Sequence, residues 1–185
     1  FYDTLDKLPP KLKVLKVISR NFSNNVDNLP ETLKFLKIHS RKFNYTVDKL
    51  PEGLNYLYLG YMFDQELNNL PQKLKHLRIV SLNFNRKIDN LPDSLETLIF
   101  HMESVFNQPI DKLPKNLKVL KLCDNFNQKI DNLPKGLRVL KFEYSSEFNQ
   151  TIDNLPDSVE KIVLGKGFQQ NVKKLPKNLK IYRKI

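Results

Sequence analysis

The residues that could carry out chemistry in this chain are few and scattered. Cys123 is the single cysteine, and no histidine or acidic residue stands at a catalytic spacing from it. His39, His76 and His101 fall in different segments, so we do not expect them to converge on one metal ion. The glycines of GKGF at residues 165–168 lack the spacing of a phosphate-binding loop. The sequence therefore predicts a protein that is not an enzyme and has no catalytic residue, cofactor or metal.

Most other polar residues recur at a fixed period, which identifies the elements that must position them. Leu-Pro occurs at steps of 20–22 residues, and a Phe stands seven residues before each of those leucines. A period of this size is typical of a solenoid, in which each repeat stacks on the next. We predict a single solenoid domain over residues 1–185, with repeats that start near Phe1, Phe22, Phe43, Phe63, Phe84, Phe106, Phe126, Phe148 and Phe168.

Each proline is followed by the pattern L-x-x-L-x-L, as at Leu137, Leu140 and Phe142. The last spacing of two is that of a β-strand, so each repeat supplies one short strand. Stacked strands predict a parallel sheet on the concave face of a right-handed solenoid, with the Phe packed inside. The same pattern places Leu179 and Tyr182 inside the final repeat. The convex segments are too short and proline-rich for long helices, so we expect extended chain or single 3₁₀ turns there.

Two polar columns should support this stack. Asn, or a close relative, follows most of the Phe residues, and a buried amide there could bond the backbone of the next repeat. Asp stands five residues after most of them, and we expect each carboxylate to accept backbone N–H bonds at the following turn. Calcium binding is the weaker interpretation, because no second and third carboxylate accompanies each Asp. The columns include Asn85, Asn107, Asn127, Asn149, Asp89, Asp111, Asp131 and Asp153, with Asp6, Asp27 and Asp48 earlier in the chain.

The strand residues that point away from the core are free to bind a partner. One such column is mostly apolar or aromatic, and its neighbour is mostly basic. Aromatic and basic side chains coincide in repeats two to four, which favours a protein partner with acidic and hydrophobic features. The alternative is that β-forming residues merely suit a sheet and that lysines keep it soluble. The candidate binding residues are Phe35, Lys37, Tyr56, Tyr58, His76 and Arg78.

The repeat resembles known families. L-x-x-L-x-L at this spacing resembles leucine-rich repeats, and "FNQKIDNLP" at residues 126–134, with its siblings, resembles the FNIP repeat family. The likeness runs from Phe1 to Tyr182 and implies a leucine-rich-repeat-like fold, although the Asn follows a Phe instead of lying three residues after the last strand leucine. FNIP proteins are typical of amoebae and of the large viruses that infect them.

The resemblance also implies a role. Many FNIP proteins carry an F-box, which docks on a ubiquitin-ligase scaffold while the repeats select the substrate. No F-box motif occurs in these 185 residues, so the resemblance alone implies this role, and we expect a cap or an F-box-like domain upstream of Phe1. At the other end, Lys173 replaces the Asp and Lys184 replaces the last strand apolar residue, which suggests a polar stop.

Bulk properties narrow the remaining functions. The hydrophobic content of 40% is enough for a core, and no run of 18 apolar residues predicts a membrane span. A lone cysteine fits a reducing compartment, so we expect the cytoplasm, including that of an infected host cell. The formal net charge of +11 makes nucleic-acid binding the alternative to protein binding. Lysines are spread over many other positions, however, which favours the protein-binding interpretation.

Overall fold

Nine short strands, one from each repeat, form the regular structure within residues 7–183. The computed structural model describes residue 5 and residues 7–183, and no helix occurs among them. All neighbouring strands are parallel and follow one another in chain order, so the chain forms a solenoid with one nine-stranded sheet, as the sequence predicts. The strands are β1 (Val14–Ile18), β2 (Phe35–His39), β3 (Tyr56–Leu59), β4 (His76–Ile79), β5 (Thr97–Phe100), β6 (Val119–Lys121), β7 (Val139–Lys141), β8 (Lys161–Leu164) and β9 (Lys180–Arg183).

The core is a set of stacked hydrophobic columns. The repeat phenylalanines from Phe22 to Phe168 stack on one another, with successive ring centroids 6.0–6.3 Å apart. Such offset stacking is the geometry that aromatic rings prefer. The residues predicted to lie inside one repeat are all buried, which confirms the predicted phase of the strands: Phe126, Ile130, Leu133, Leu137, Leu140 and Phe142.

A tight turn at the proline leads the chain into each strand. In all nine repeats the proline carbonyl accepts a hydrogen bond from the N–H three residues later, at 2.9–3.2 Å. Only the carbonyl of the proline takes part in this bond, and proline has no N–H that would need a partner. A second turn lies at the Asp position of most repeats, and the rest of the convex segment has no regular secondary structure. These turns replace helices, and they bring Leu137 and its counterparts directly under the sheet.

The last strand departs from the predicted register. The repeat pattern aligns Tyr182 with Ile162, but in the structure Ile181 pairs with Ile162 and Tyr182 pairs with Val163. The prediction that Tyr182 lies inside is therefore wrong, and its ring is 47% exposed with Lys161 Nζ 4.4 Å from its centroid. A shift of one residue exchanges the two faces of a strand, and here it pairs Ile181, which is itself 42% exposed, with the buried Ile162. Phe1, Asp6 and Lys184 lie outside the described residues.

Candidate interaction surface

The side chains that point away from the core form an open face on the sheet. Because side chains alternate along a strand and the strands are in register, matching positions line up in rows across the sheet. Phe35 pairs with Tyr56, which pairs with His76, and Lys37 pairs with Tyr58, which pairs with Arg78. The structure therefore brings all six candidate binding residues together on β2, β3 and β4. We call these six residues the aromatic–basic strip.

The first row of the strip is a stack of rings. The rings of Phe35 and Tyr56 lie nearly parallel, 8° apart, with centroids separated by 4.4 Å. His76 continues the row, 6.2 Å from Tyr56, and Lys16 Nζ covers the other end at 5.7 Å from the Phe35 centroid. Each of the two large rings therefore has a neighbour on both sides along the row, and both residues remain partly exposed.

Tyr58 is the centre of the second row. Its ring lies between two cations, with Lys37 Nζ 4.7 Å and Arg78 Cζ 5.8 Å from the centroid. We predicted that Tyr58 faces water, and this is wrong, because only 8% of the residue is exposed. The two cations and His39, whose Nδ1 lies 3.1 Å from the Tyr58 hydroxyl, cover it. Burial raises the pKa of Tyr58, so the phenol keeps its proton at neutral pH.

Positive charge accumulates on the strip and beside it, at Lys16. No ion pair between residues within 7–183 involves Lys16, Lys37 or Arg78. By contrast Lys121, on the same face two strands beyond β4, is paired with Glu143. Partial burial, followed by the charges of Lys37 and Arg41, lowers the pKa of His39. The first four repeats thus present uncompensated positive charge beside aromatic rings.

The other residues singled out for chemistry remain apart. His39 and His76 lie on different strands, and His101 Nδ1 accepts a bond from Glu103 N at 3.3 Å. Within residue 5 and residues 7–183, no three His, Cys, Asp or Glu side chains come together to hold a metal ion. Cys123 is fully buried, and its thiol donates to the Phe106 carbonyl at 3.2 Å. Burial raises the pKa of Cys123 to about 11, so the thiol is neutral at physiological pH.

The amide column joins successive repeats at the protein surface. Each amide oxygen accepts the backbone N–H of the next repeat, and in several repeats also the side-chain amide of a Gln. The column is not buried as predicted, because Asn85 is exposed and Asn107, Asn127 and Asn149 are only half-buried. In each pair the backbone N–H of the first residue donates to the Oδ1 atom of the second: Asp64 to Asn44 (2.8 Å), Asn107 to Asn85 (2.9 Å), Asn127 to Asn107 (2.9 Å), Asn149 to Asn127 (2.9 Å) and Gln169 to Asn149 (2.9 Å).

The aspartate column is stabilised mainly by side chains of the next repeat. We predicted backbone donors, and Asp153 has two of them, the N–H groups of Lys173 and Lys174, which lower its pKa. The other carboxylates are contacted by side chains, because the residue that follows each Asp carries a cation or an amide that contacts the Asp of the preceding repeat. These side chains lie between neighbouring carboxylates of the column. They are Lys49–Asp27 (3.2 Å), Lys112–Asp89 (3.4 Å), Asn132–Asp111 (3.0 Å) and Asn154–Asp131 (2.9 Å).

The sequence interpretation missed a column of small residues just after the strands. Most repeats carry a Ser, Gly or Cys three residues before the Phe. Ser40 and Cys123 occupy equivalent places, since each donates to the carbonyl of the preceding repeat's Phe. A Cβ on Gly60 would lie 2.7 Å from the Ile38 carbonyl oxygen, so larger side chains do not fit there. The regular spacing of small residues was the available signal: Ser19, Ser40, Gly60, Ser81, Cys123, Ser145 and Gly165.

The described residues contain no helix that is long and apolar enough to cross a membrane. No curated protein matches the sequence. The crystal structure of CroV588, described as a novel circular LRR protein, is similar, with a TM-score of 0.62 and 30% sequence identity over 99% of this chain. This chain spans 35% of CroV588. The model of the FNIP repeat matches residues 44–81, 68–102 and 106–145. Because these matches cover more than half of the sequence, the chain belongs to the FNIP repeat family.

Proposed function

We propose that the protein is a non-enzymatic interaction module that binds another protein through the aromatic–basic strip. The observation that carries this proposal is the set of uncompensated cations around stacked rings on three adjacent strands of the open face. Rings and arginines are the side chains that most often dominate binding energy at protein interfaces. Lys16 and Lys37 would attract acidic residues of the partner, and the ring edges would contact its apolar ones.

The contacts within the strip weigh against the nucleic-acid alternative. Proteins that bind single strands stack bases on exposed aromatic faces. Here the faces of Phe35 and Tyr56 are covered by each other, by Lys16 and by His76, and Tyr58 lies between two cations. A base could stack only by displacing one of these groups. The edges of the rings, by contrast, remain accessible to a peptide.

Partner capture with matched variants tests the proposal. Proteins from a lysate of the natural host are captured on the wild type, on a Tyr56→Ala, Arg78→Ala variant, and on a control with Val119→Ala and Val139→Ala in the same row of later repeats. A specific partner should lose about 1–3 kcal/mol of binding free energy on the first variant. The control should bind as the wild type does. To test Tyr58 in the same assay we would use Tyr58→Phe and not Tyr58→Ala, because Tyr58 is buried and its truncation to Ala would remove packing contacts.

If the folded Tyr56→Ala, Arg78→Ala variant binds the partner as tightly as the wild type does, the binding site does not lie on the aromatic–basic strip. Charge reversal at Lys37 and Arg78 to Glu should weaken a genuine partner further, with a loss that shrinks as salt is raised. Mixed-sequence RNA is tested in parallel. Affinity for RNA that falls steeply with salt and depends on the same residues would favour the nucleic-acid alternative.

A narrower role follows from the family resemblance alone. We propose that residues 1–185 act as one solenoid that selects substrates for a ubiquitin ligase in the cytoplasm, in a protein that also carries an F-box. The experiment uses the natural full-length protein, expressed in its host cell, and asks whether a ubiquitin-ligase scaffold co-purifies with it. If the full-length protein captures its partner but no ligase component co-purifies, the ubiquitin role is contradicted and the proposal of an interaction module is unaffected.

A further inference from the structure

A cleft opens beside the aromatic–basic strip, where β1 and β2 end. It has a volume of about 330 Å³ and is open to solvent. Arg20 and Arg41 occupy matching places in successive repeats, where Arg41 N donates to the Arg20 carbonyl at 3.2 Å. We call this the strand-end cleft, and its lining residues are Ile18, Ser19, Arg20, His39, Arg41 and Tyr61.

The backbone that carries the two arginines is fixed by a buried serine. Ser40 is 1% exposed, and its hydroxyl donates to the Phe22 carbonyl at 2.7 Å and accepts the Lys42 N–H at 3.1 Å. The hydroxyl therefore ties the loop that follows β2 to the loop that follows β1. Arg20 and Arg41 project from this fixed pair of loops, so their backbone positions are set before any ligand arrives.

The charged groups that line the cleft are the two arginines, and both are donors. No ion pair between residues within 7–183 involves Arg20 or Arg41. The protonated Tyr58 hydroxyl lies 3.1 Å from His39 Nδ1 and can donate to it. That arrangement leaves the second ring nitrogen of His39 as an N–H donor. Lys37, also free of ion pairs within these residues, adds positive charge from the neighbouring strip.

We propose that the strand-end cleft binds the phosphoryl group of a phosphorylated side chain in a partner protein whose flanking residues lie on the aromatic–basic strip. This inference rests on the proposed function and names the chemistry of the partner. A phosphoryl group carries about −1.5 to −2 charges at neutral pH and three acceptor oxygens. Two guanidinium groups offer paired donors in the geometry that suits those oxygens. A carboxylate, with one charge, would satisfy fewer of these donors.

Anion titration of the isotope-labelled protein tests the site without knowledge of the partner. The probes are inorganic phosphate, phenyl phosphate and acetate, compared at equal ionic strength by the NMR signals of the arginine side chains. We expect the Arg20 and Arg41 signals to shift and saturate with both phosphates. Acetate should bind at least about tenfold more weakly, because it offers one charge and two oxygens. An Arg20→Gln, Arg41→Gln variant should lose at least about tenfold in phosphate affinity.

A matched control distinguishes the effect of losing an exposed arginine anywhere on the protein from the effect of losing an arginine of the cleft. Arg86→Gln removes a guanidinium that is paired with Asp64 at 2.8 Å, away from the cleft, and should leave phosphate binding unchanged. The spectrum of each variant also reports whether it is folded. Shifts that grow linearly with every anion, equal affinity for acetate, or unchanged phosphate affinity in the double variant would each overturn the proposal.

Two further comparisons separate this inference from its alternatives. Phosphate binding that persists in the Tyr56→Ala, Arg78→Ala variant, while that variant loses its captured partner, supports both proposals. If phosphate binding is saturable but the Tyr56→Ala, Arg78→Ala variant captures the partner as well as the wild type does, the proposed function is overturned and the anion site is retained. Single-stranded RNA that binds through Arg20 and Arg41 more tightly than phenyl phosphate would overturn the assignment to a phosphorylated protein.

Discussion

Asn107 illustrates how a single polar residue ties one repeat to the next. Its amide oxygen accepts the Asn127 N–H at 2.9 Å and the Gln128 side-chain amide at 3.2 Å. Asn107→Ala leaves this backbone donor without its protein acceptor, so we expect a loss of about 1–2 kcal/mol in the free energy of unfolding, measured by chemical denaturation. Asn107→Asp should lose less, because Asp64 occupies the same column and accepts Asn85 N. Equal losses for Ala and Asp would show that the acceptor is unimportant.

Cys123 provides a pH-dependent prediction at the same scale. Its pKa is raised from 9.0 to about 11 in the folded protein, so the unfolded chain loses the thiol proton first as the pH rises. The raised pKa contributes roughly 2–3 kcal/mol to the free energy of unfolding below about pH 9. This contribution is lost progressively as the pH rises from about 9 to about 11. Cys123→Ser does not titrate in this range, and its hydroxyl can donate to the Phe106 carbonyl as Ser40 does to Phe22.

The measurement is the free energy of unfolding of wild type and Cys123→Ser across this pH range. The wild type should lose more stability than the variant, while a thiol reagent at neutral pH should modify the folded protein far more slowly than the unfolded one. Parallel stability curves for the two proteins, or rapid labelling of the folded wild type, would contradict the assigned burial.

At the scale of the element, the turn that leaves each strand is limited by space. A Cβ on Gly60 would approach the Ile38 carbonyl oxygen to 2.7 Å and Ser40 N to 3.0 Å, both of which are backbone atoms. Gly60→Ala must therefore push neighbouring repeats apart, at a cost of about 1–3 kcal/mol. In Gly136→Ala the new methyl group would meet nothing closer than the Lys115 carbonyl at 3.7 Å.

The two glycine variants form a matched pair for denaturation experiments. Gly136→Ala should be neutral, or stabilising by about 0.4–1 kcal/mol, because alanine restricts the unfolded chain. Neither glycine has a positive φ, so the difference between them reports the space available and not backbone strain. If Gly60→Ala proved as stable as Gly136→Ala, the close packing of the post-strand turns would be disproved.

At the scale of the whole molecule, each repeat contacts only its neighbours, so stability varies along the chain. β9 is exposed at every position, whereas Leu120 of β6 is fully buried between two paired strands. Amide hydrogen exchange should be faster in β9 than in β6, by at least about tenfold, because β9 lacks the buried contacts that stabilise β6. Equal protection of the two strands would mean that the solenoid opens only as a whole.

The fold was largely determined by the sequence. A period of 20–22 residues, with Leu at fixed offsets from Pro and Phe, leaves one way to bury the apolar residues, which is to stack the repeats with identical residues on identical ones. Leu137, Leu140 and Phe142 are buried for this reason. The same alternation placed Phe35, Tyr56 and Arg78 on the open face, since the residues between them are committed to the core.

The tertiary structure alone decided what the repeat pattern does not encode. Tyr58 belongs to an outward row, yet it is buried because particular side chains on adjacent strands happen to be long enough to cover it. Tyr182 lies on the open face because β9 pairs with β8 one residue out of the register that the repeat pattern predicts. The strand-end cleft depends on Arg20 and Arg41 falling side by side across a loop whose length varies, and proximity of that kind arises only when the repeats stack.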